Sequence, residues 1–306
     1  MIKIKKILFP TDFSRCANQA LAHALHWTQR YGAEMHMLHA IVLHEEDPNN
    51  PLHHFPEMEE IVERLNESVE ARMTADIQAN DAVVLNVKKA QRRGISPATV
   101  ILDYAQENDI DLIVMGTQGL RGLSHLLMGS VAEEVVRLAR CPVFTIREKK
   151  DPQALEDLER ILAPIDFSDH SKKSLSYAKE IAKHYSAKLQ ILHVIEENVH
   201  PAFYASGKTS IFELIPNIKD KSEQALKQLL TDAPGPQVAA EITVVEGRAS
   251  QEIVKFGEKH GSDLVVIATH GLTGIEHLLI GSVTEKVVRM ASCPVFTVKS
   301  FGKSLM

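Results

Sequence analysis

The chain of 306 residues is poor in the features that announce several protein classes. Its three cysteines, Cys16, Cys141 and Cys293, are odd in number and have no Cys-x-x-Cys spacing, so neither a disulfide framework nor a zinc knuckle is indicated. No stretch approaches the roughly 18 to 20 consecutive apolar residues of a membrane span. The opening Met1-Ile-Lys-Ile-Lys-Lys-Ile-Leu-Phe-Pro10 has an early positive cluster, but its apolar run is too short for a signal peptide and lacks a small-residue cleavage site. A formal net charge of -6, with acids and bases interspersed, leaves no basic footprint for nucleic acid. There is no Gly-x4-Gly-Lys-Ser/Thr loop, and no Gly-x-Gly-x-x-Gly follows the first apolar run, which argues against P-loop and dinucleotide-binding classes. The expectation that remains is a cytoplasmic protein with no nucleic-acid or membrane partner.

What the chain does have is a duplication. Shifted against itself by 152 residues, Asp111 to Arg147 falls on Asp263 to Lys299, and 23 of the 37 positions are identical. Upstream the offset becomes 154, which places Pro10-Thr-Asp12-Phe-Ser14 on Pro164-Ile-Asp166-Phe-Ser168 and His39 on His193. The expected domains are therefore 1–148 and 157–306, joined by the polar, proline-containing Glu148-Lys-Lys-Asp-Pro-Gln.

Apolar runs and helical periodicity alternate within each copy. Ile4–Phe9 and Ile161–Ala163 read as first strands, with Ser14 and Ser168 as N-caps of the helices that follow. Second strands are expected at Met35–Val42 and Leu189–Ile195, amphipathic helices at Glu57–Asn80 and Ile218–Leu230, and third strands at Val83–Lys88 and Ala239–Val245. Helices from Pro97 and Ser250 lead to fourth strands, Leu112–Met115 and Leu264–Ile267. Helices from Gly129 and Gly281 lead to fifth strands, Val143–Ile146 and Val295–Val298. Strands apolar throughout and alternating with helices predict an α/β fold, a doubly wound parallel sheet covered on both faces, in two tandem copies.

In such a sheet a ligand sits beyond the carboxyl ends of the strands, where neighbouring helices leave on opposite faces. If strands one and four are neighbours, Asp12 faces the Gly116 loop, and Asp166 faces the loop at Ala268. An aspartate there can accept hydrogen bonds from ribose hydroxyls, while loop amides and a helix N-terminus hold a polyphosphate. Gly116 and Gly119 are expected to allow backbone approach and positive φ, and Gly129 to clear the helix start, where Ser130 offers an amide and a hydroxyl. A single glycine after a strand would ordinarily be a turn residue. Two copies of the whole spacing, each matched to a Pro-x-Asp, favour a nucleotide crevice.

The pattern Gly-x2-Gly-x9-Gly-Ser, with Pro-Thr-Asp-Phe-Ser near the start and the closing Cys-Pro-Val-Phe, resembles the universal stress protein family in its tandem two-domain form, over nearly the whole chain. The resemblance implies two five-stranded sheets of order 3-2-1-4-5 binding ATP, ADP or AMP. It implies that Pro10, Thr11 and Asp12 border the ribose or adenine, that the main chain near Ala40 meets the adenine, and that Gly116, Gly119, Gly129, Ser130 and Val131 hold phosphates. The second copy corresponds through Pro164, Asp166, Val194, Ala268, Gly271, Gly281, Ser282 and Val283. Ala268 replaces the first motif glycine, Ile165 stands where Thr11 could donate a hydroxyl bond, and Gln118 replaces a histidine kept as His270, so unequal sites are expected. Fifth strands pair between subunits in single-domain relatives, which implies a pseudo-dimer within this chain. A homodimer of the whole chain would use another surface.

Neither glycine loop supplies a lysine to neutralise a transferring phosphate. No catalytic residue stands out, and a sensor or regulator in a stress response fits better than a catalyst. The alternatives are a slow ATP hydrolase or phosphoryl-transfer enzyme, and a metal-responsive scaffold with degenerate nucleotide sites. Magnesium would accompany a triphosphate, although no residue is an evident dedicated ligand. His36, His39, His44, His53 and His54 cluster, but at no closed zinc spacing, so a polar loop is expected and no metal site. His39 and His193 recur and are read as satisfying a buried hydrogen bond. His125 and His277 could line the phosphate site or face solvent. Cys141 and Cys293 read as small residues entering a strand, and Cys16 as an inert helix residue, although its helix terminus could lower the thiol pKa.

Overall fold

The computed structural model describes residues 2–42, 58–80, 86–119, 128–150, 158–196, 210–271, 280–299 and 301–306. The chain divides into two compact units, Lys3–Leu155 with Leu305, and Glu156–Ser304 with Met1–Ile2 and Met306. In the first unit the strands are β1 (Lys6–Pro10), β2 (Glu34–Val42), β3 (Val87–Gly94), β4 (Leu112–Gly116) and β5 (Val143–Ile146). Between them run α1 (Arg15–Tyr31), α2 (Met58–Gln78), α3 (Pro97–Glu107) and α4 (Ser130–Leu138). The second unit repeats the order with β6 (Arg160–Pro164), α5 (Asp169–Tyr185), β7 (Lys188–Ile195), a short α6 (Ile211–Leu214), α7 (Ile218–Asp232), β8 (Ala240–Glu246), α8 (Ala249–His260), β9 (Leu264–Ala268), α9 (Ser282–Met290) and β10 (Val295–Val298). Within the units the strand orders are β3-β2-β1-β4-β5 and β8-β7-β6-β9-β10, which is the 3-2-1-4-5 arrangement in each, with the pairings parallel.

Local chemistry explains the element ends. Ser14 caps α1 by accepting the Ala17 amide at 3.2 Å, and Ser168 caps α5 by accepting that of Ser171 at 3.1 Å. Gly32 ends α1 in the left-handed region at φ 62°, where glycine carries no Cβ penalty. Central strands are apolar on both faces, with Ile7, Leu8 and Phe9 of β1 and Leu112, Ile113 and Val114 of β4 fully buried. Helix α1 lies against this layer, where buried Trp27 stacks on Tyr31 and tilts against Phe144, centroids 5.3 and 5.2 Å away.

The third strand of the first unit runs Val87–Gly94, meeting the expected Val83–Lys88 at Val87 and Lys88 and continuing six residues beyond it. Residues 81–85, which suggested the strand, lie outside the described residues. A strand at the end of its unit's sheet can carry charge along its length, as Lys88, Lys89, Arg92 and Arg93 do here. The apolar-run criterion suits central strands and so misses the charged stretch 89–94.

Both copies carry the same tie at the amino ends of their central strands. One carboxylate oxygen of Asp111 accepts the amides of Lys5 at 2.7 Å and Lys6 at 2.9 Å. Asp263 does the same for Glu159 at 2.9 Å and Arg160 at 2.8 Å. Removing either side chain leaves two amides without that acceptor. Asp111→Ala and Asp263→Ala are each expected to cost about 2 kcal/mol of stability, read as a lowered urea midpoint; a midpoint unchanged in both would show the tie to be incidental.

His23 of α1 lies beside Phe144, ring centroids 5.6 Å apart, and burial, then His26 and Lys149, lower its pKa to about 4. The fold therefore disfavours the imidazolium, and the unfolded chain binds the extra proton. The stability this protects is fully present above about pH 6.5 and is lost as pH falls toward about 4. The loss across that window is at most about 3 kcal/mol. Chemical denaturation of the wild type and His23→Gln at pH 7.5 and 5 should give a smaller pH-dependent drop for the variant; parallel drops would acquit His23.

Candidate functional site

Strands β1 and β4 pair only through Ile7 with Leu112 and Leu8 with Ile113. Past that point each stays with its other neighbour: β1 remains in register with β2 as far as Pro10 and Leu38, and β4 with β5 as far as Gly116 and Ile146. A crevice therefore opens at the carboxyl end of the sheet, between the turn after β1 and the loop after β4. The second unit repeats it, since β6 and β9 pair only through Ile161 with Leu264 and Leu162 with Val265.

The turn after β1 is tightly specified. The Thr11 amide donates to the Leu38 carbonyl at 2.8 Å, and the Ile165 amide to Leu192 at 2.8 Å. Asp12 Oδ1 accepts the Ser14 amide at 3.0 Å, and Asp166 Oδ1 accepts the amide of Ser168 at 3.0 Å and its hydroxyl at 2.6 Å. Thr11 Oγ1 accepts the Phe13 amide at 3.0 Å, a bond that Ile165 cannot make. Between aspartate and serine, Phe13 has φ 62° and Phe167 φ 65°, left-handed conformations that a bulky residue rarely adopts. Such strain recurring at one position is characteristic of functional turns. The sequence gives no sign of it, because phenylalanine is not a left-handed residue by preference. His39 supports the turn from below: its Nδ1 lies 2.9 Å from the Thr11 carbonyl and its ring 4.9 Å from that of Phe13. His193 does the same, 2.7 Å from the Ile165 carbonyl and 4.7 Å from Phe167. In the first unit Arg72 of α2 places its guanidinium 4.8 Å over the Phe13 ring and donates to the Phe13 carbonyl at 3.3 Å.

The other wall is the glycine loop. A Cβ on Gly119 would lie 2.6 Å from Asp12 Oδ2, and one on Gly271 would lie 2.5 Å from Asp166 Oδ2. Each aspartate thus rests directly against its loop, and a side chain in place of the glycine would push the carboxylate aside. Gly129 and Gly281 turn back into the loop, their amides donating to the Thr117 and Thr269 carbonyls, both at 2.8 Å. They cap α4 and α9 without a side-chain bond, so Ser130, Val131, Ser282 and Val283 stand in first turns whose amides the helix itself does not satisfy. Ser130 and Ser282 are exposed, as an anion donor must be. Pro10 and Pro164 are buried at the strand ends, and Ala40 and Val194 are half-buried on β2 and β7. The cradle suits an anion at the helix start and a hydroxyl-bearing group at the aspartate.

One expectation is corrected: Gly116 and Gly119 do not adopt positive φ, and their value lies in close approach alone. At Gly116 a Cβ would come 2.7 Å from Cys16 Sγ and 3.1 Å from the Cys16 carbonyl carbon, so the missing Cβ admits the first turn of α1. The corresponding helix position in the second copy is His170, and Ala268 is accommodated there with its side chain buried. Cys16 itself is buried, its thiol donates to the Ile146 carbonyl at 3.4 Å, and burial pushes its pKa up rather than down. Cys141 is buried as expected, and Cys293 half-buried. Of the first histidine cluster, His36 is buried between Tyr104 and Glu34, with burial lowering its pKa, while His44, His53 and His54 lie outside the described residues, as do His125 and His277. Among the described residues no group of histidine, cysteine and acidic side chains could hold a metal, and no helix is long and apolar enough to cross a membrane.

The profile of the universal stress protein family matches residues 3–147 and again 158–299. The chain belongs to that family. A universal stress protein of Methanocaldococcus jannaschii is 36% identical over 142 residues, 46% of this chain and 82% of the relative. One from Bacillus subtilis is 31% identical over 145 residues, 46% of this chain and 98% of its own. Both are therefore comparable to one half of this chain. The crystal structure of a universal stress protein from Archaeoglobus fulgidus has a TM-score of 0.71 at 21% identity, covering 96% of this chain and 98% of that one, and so shares the fold throughout.

The Gly116/Ala268 exchange should register in stability. Gly116→Ala is expected to destabilise by about 1–3 kcal/mol through overpacking against α1, whereas Ala268→Gly should cost about 1 kcal/mol or less. Thermal unfolding of the two variants reads this, and equal, negligible shifts would mean α1 yields freely.

Proposed function

We propose that the protein is a two-site adenine-nucleotide sensor of the stress response, cytoplasmic, with ATP or its di- or monophosphate as ligand and conformation rather than chemistry as its output. The observation that carries the reading is the contact of each aspartate with its glycine loop, Asp12 with Gly119 and Asp166 with Gly271, beside a helix start that lacks a side-chain cap. A diol acceptor and an anion cradle on two sides of one crevice suit a nucleotide better than a free phosphate. Pro10, Thr11, Asp12 and Ala40 would line the nucleoside part of the first site, and Gly116, Gly119, Gly129, Ser130 and Val131 the phosphate part. Pro164, Asp166, Val194, Ala268, Gly271, Gly281, Ser282 and Val283 would form the second. Magnesium would enter with a triphosphate.

The copies differ where the ligand would lie: Thr11 against Ile165, and half-buried Gln118 against buried His270. The affinities follow unequally. Mass spectrometry of ligand released from the denatured protein should find an adenine nucleotide. Calorimetric titration with ATP should give two affinities, with Ser130→Ala weakening the tighter by about tenfold and Ser282→Ala the weaker, one good hydrogen bond to a charged group being worth that much. Equal nucleotide affinity of the sites left intact in the two variants would sink the inequality, and phosphate release above a trace would move the assignment to a hydrolase.

A further inference from the structure

The sheet of the first unit continues beyond the crevice as a shelf. In register, Pro10 at the end of β1 pairs with Leu38, and Leu38 pairs with Ala90 of β3. His39 and Gln91, the next pair, therefore stand level with Thr11, where β1 has already turned away, and β2 and β3 run on to Val42 and Gly94. Strand spacing of about 4.8 Å places β3 about 10 Å from β1 along the sheet edge. With phosphate at the start of α4, beyond β4, and a ribose at Asp12, beyond β1, the order β4-β1-β2-β3 carries the base of a nucleotide toward β2 and β3.

On that shelf, beneath α2, lies a cleft of about 250 Å³ lined by Ile41, Asn66, Gln91 and Arg93. It is smaller than the roughly 300–1,000 Å³ of a complete small-molecule site, as befits one end of a larger one. The Gln91 Nε2 donates to the Asn66 main-chain carbonyl at 2.9 Å, which fixes the amide's orientation, since the oxygen could not make that bond. Its Oε1 is buried and meets no donor among the described residues. A buried acceptor left in this way costs free energy and selects a ligand that brings a donor. In the second unit the register partner of His193 is Val244, a buried apolar residue.

We propose that Gln91 reads the base at the first site: its Oε1 accepts a hydrogen bond from the exocyclic 6-amino group of a purine, so that this site distinguishes adenine from guanine, and the second site, with Val244, lacks this contact. The inference rests on the nucleotide reading above. Guanine presents an acceptor at the 6-position, which would oppose Oε1 and leave both oxygens unpaired, the situation in which a polar pocket discriminates most strongly. Arg93 is the competing group in the cleft, because its guanidinium can donate to that same guanine oxygen.

ATP and GTP titrations of the full chain carrying Gly271→Val, which places a side chain against Asp166 and closes the second crevice, isolate the first site. The ratio of GTP to ATP dissociation constants should be at least tenfold, and Gln91→Val, the second unit's residue, should lower that ratio about tenfold, the size of one buried hydrogen bond. Gln91→Met keeps the side-chain length and serves if the valine variant does not fold. A ratio unchanged in a variant that still binds ATP, or a preference for GTP in the parent, overturns the role of Gln91. Failure of the parent and of the wild type to bind any adenine nucleotide would instead overturn the nucleotide reading itself.

Discussion

The structure depends on a pairing that is deliberately short. β1 and β4 share two residue pairs and then part, and everything at the candidate site follows from that separation. The aspartate at the end of one strand and the glycine loop at the end of the other are held close because the strands are locked at their amino ends. There Asp111, like Asp263 in the second unit, gathers two amides of the neighbouring strand's approach into one carboxylate oxygen. A crevice built in this way has rigid walls, since each wall remains paired with another strand on its outer side. Preorganisation of that kind lowers the ordering cost of binding.

Around the crevice, the chemistry is divided between backbone and side chains. Loop amides and helix starts provide positive potential without a titrating group, which suits the binding function proposed above. The side chains that do approach, Thr11, Phe13, His39 and Arg72, act mainly on the shape of the turn. They hold Phe13 in a conformation that it would not adopt alone, so binding geometry is bound up with the packing of α2 and β2. The second unit keeps the strained phenylalanine and its histidine, showing that this part of the device is common to both copies.

Much of this was readable from residues alone where a local rule acts. Ser14 and Ser168 cap helices because a serine before a helical period satisfies an orphan amide, and Val143–Ile146 and Val295–Val298 are strands over the stretches their apolar runs mark. The rule missed the charged end of β3, which an edge tolerates and a centre does not. At Gly116 the glycine was visible, but what its missing Cβ admits depends on what lies opposite, and Cys16 lies opposite.

The sequence by itself determined the duplication and the alternation of apolar strands with helices, because period, spacing and repetition are properties of a string; the 3-2-1-4-5 order followed only from the resemblance to the family, and the facing of Asp12 and Asp166 with their glycine loops held only if strands one and four are neighbours. Tertiary structure alone decided which glycine touches the aspartate, that Phe13 and Phe167 are strained, and that Asp111 and Asp263 lock strands. It alone set Gln91 level with Thr11 at the edge of a cleft, with its side-chain oxygen buried. These are relations between residues up to about a hundred positions apart, fixed by strand register and by the direction in which a side chain leaves its strand, and neither is encoded in any local pattern.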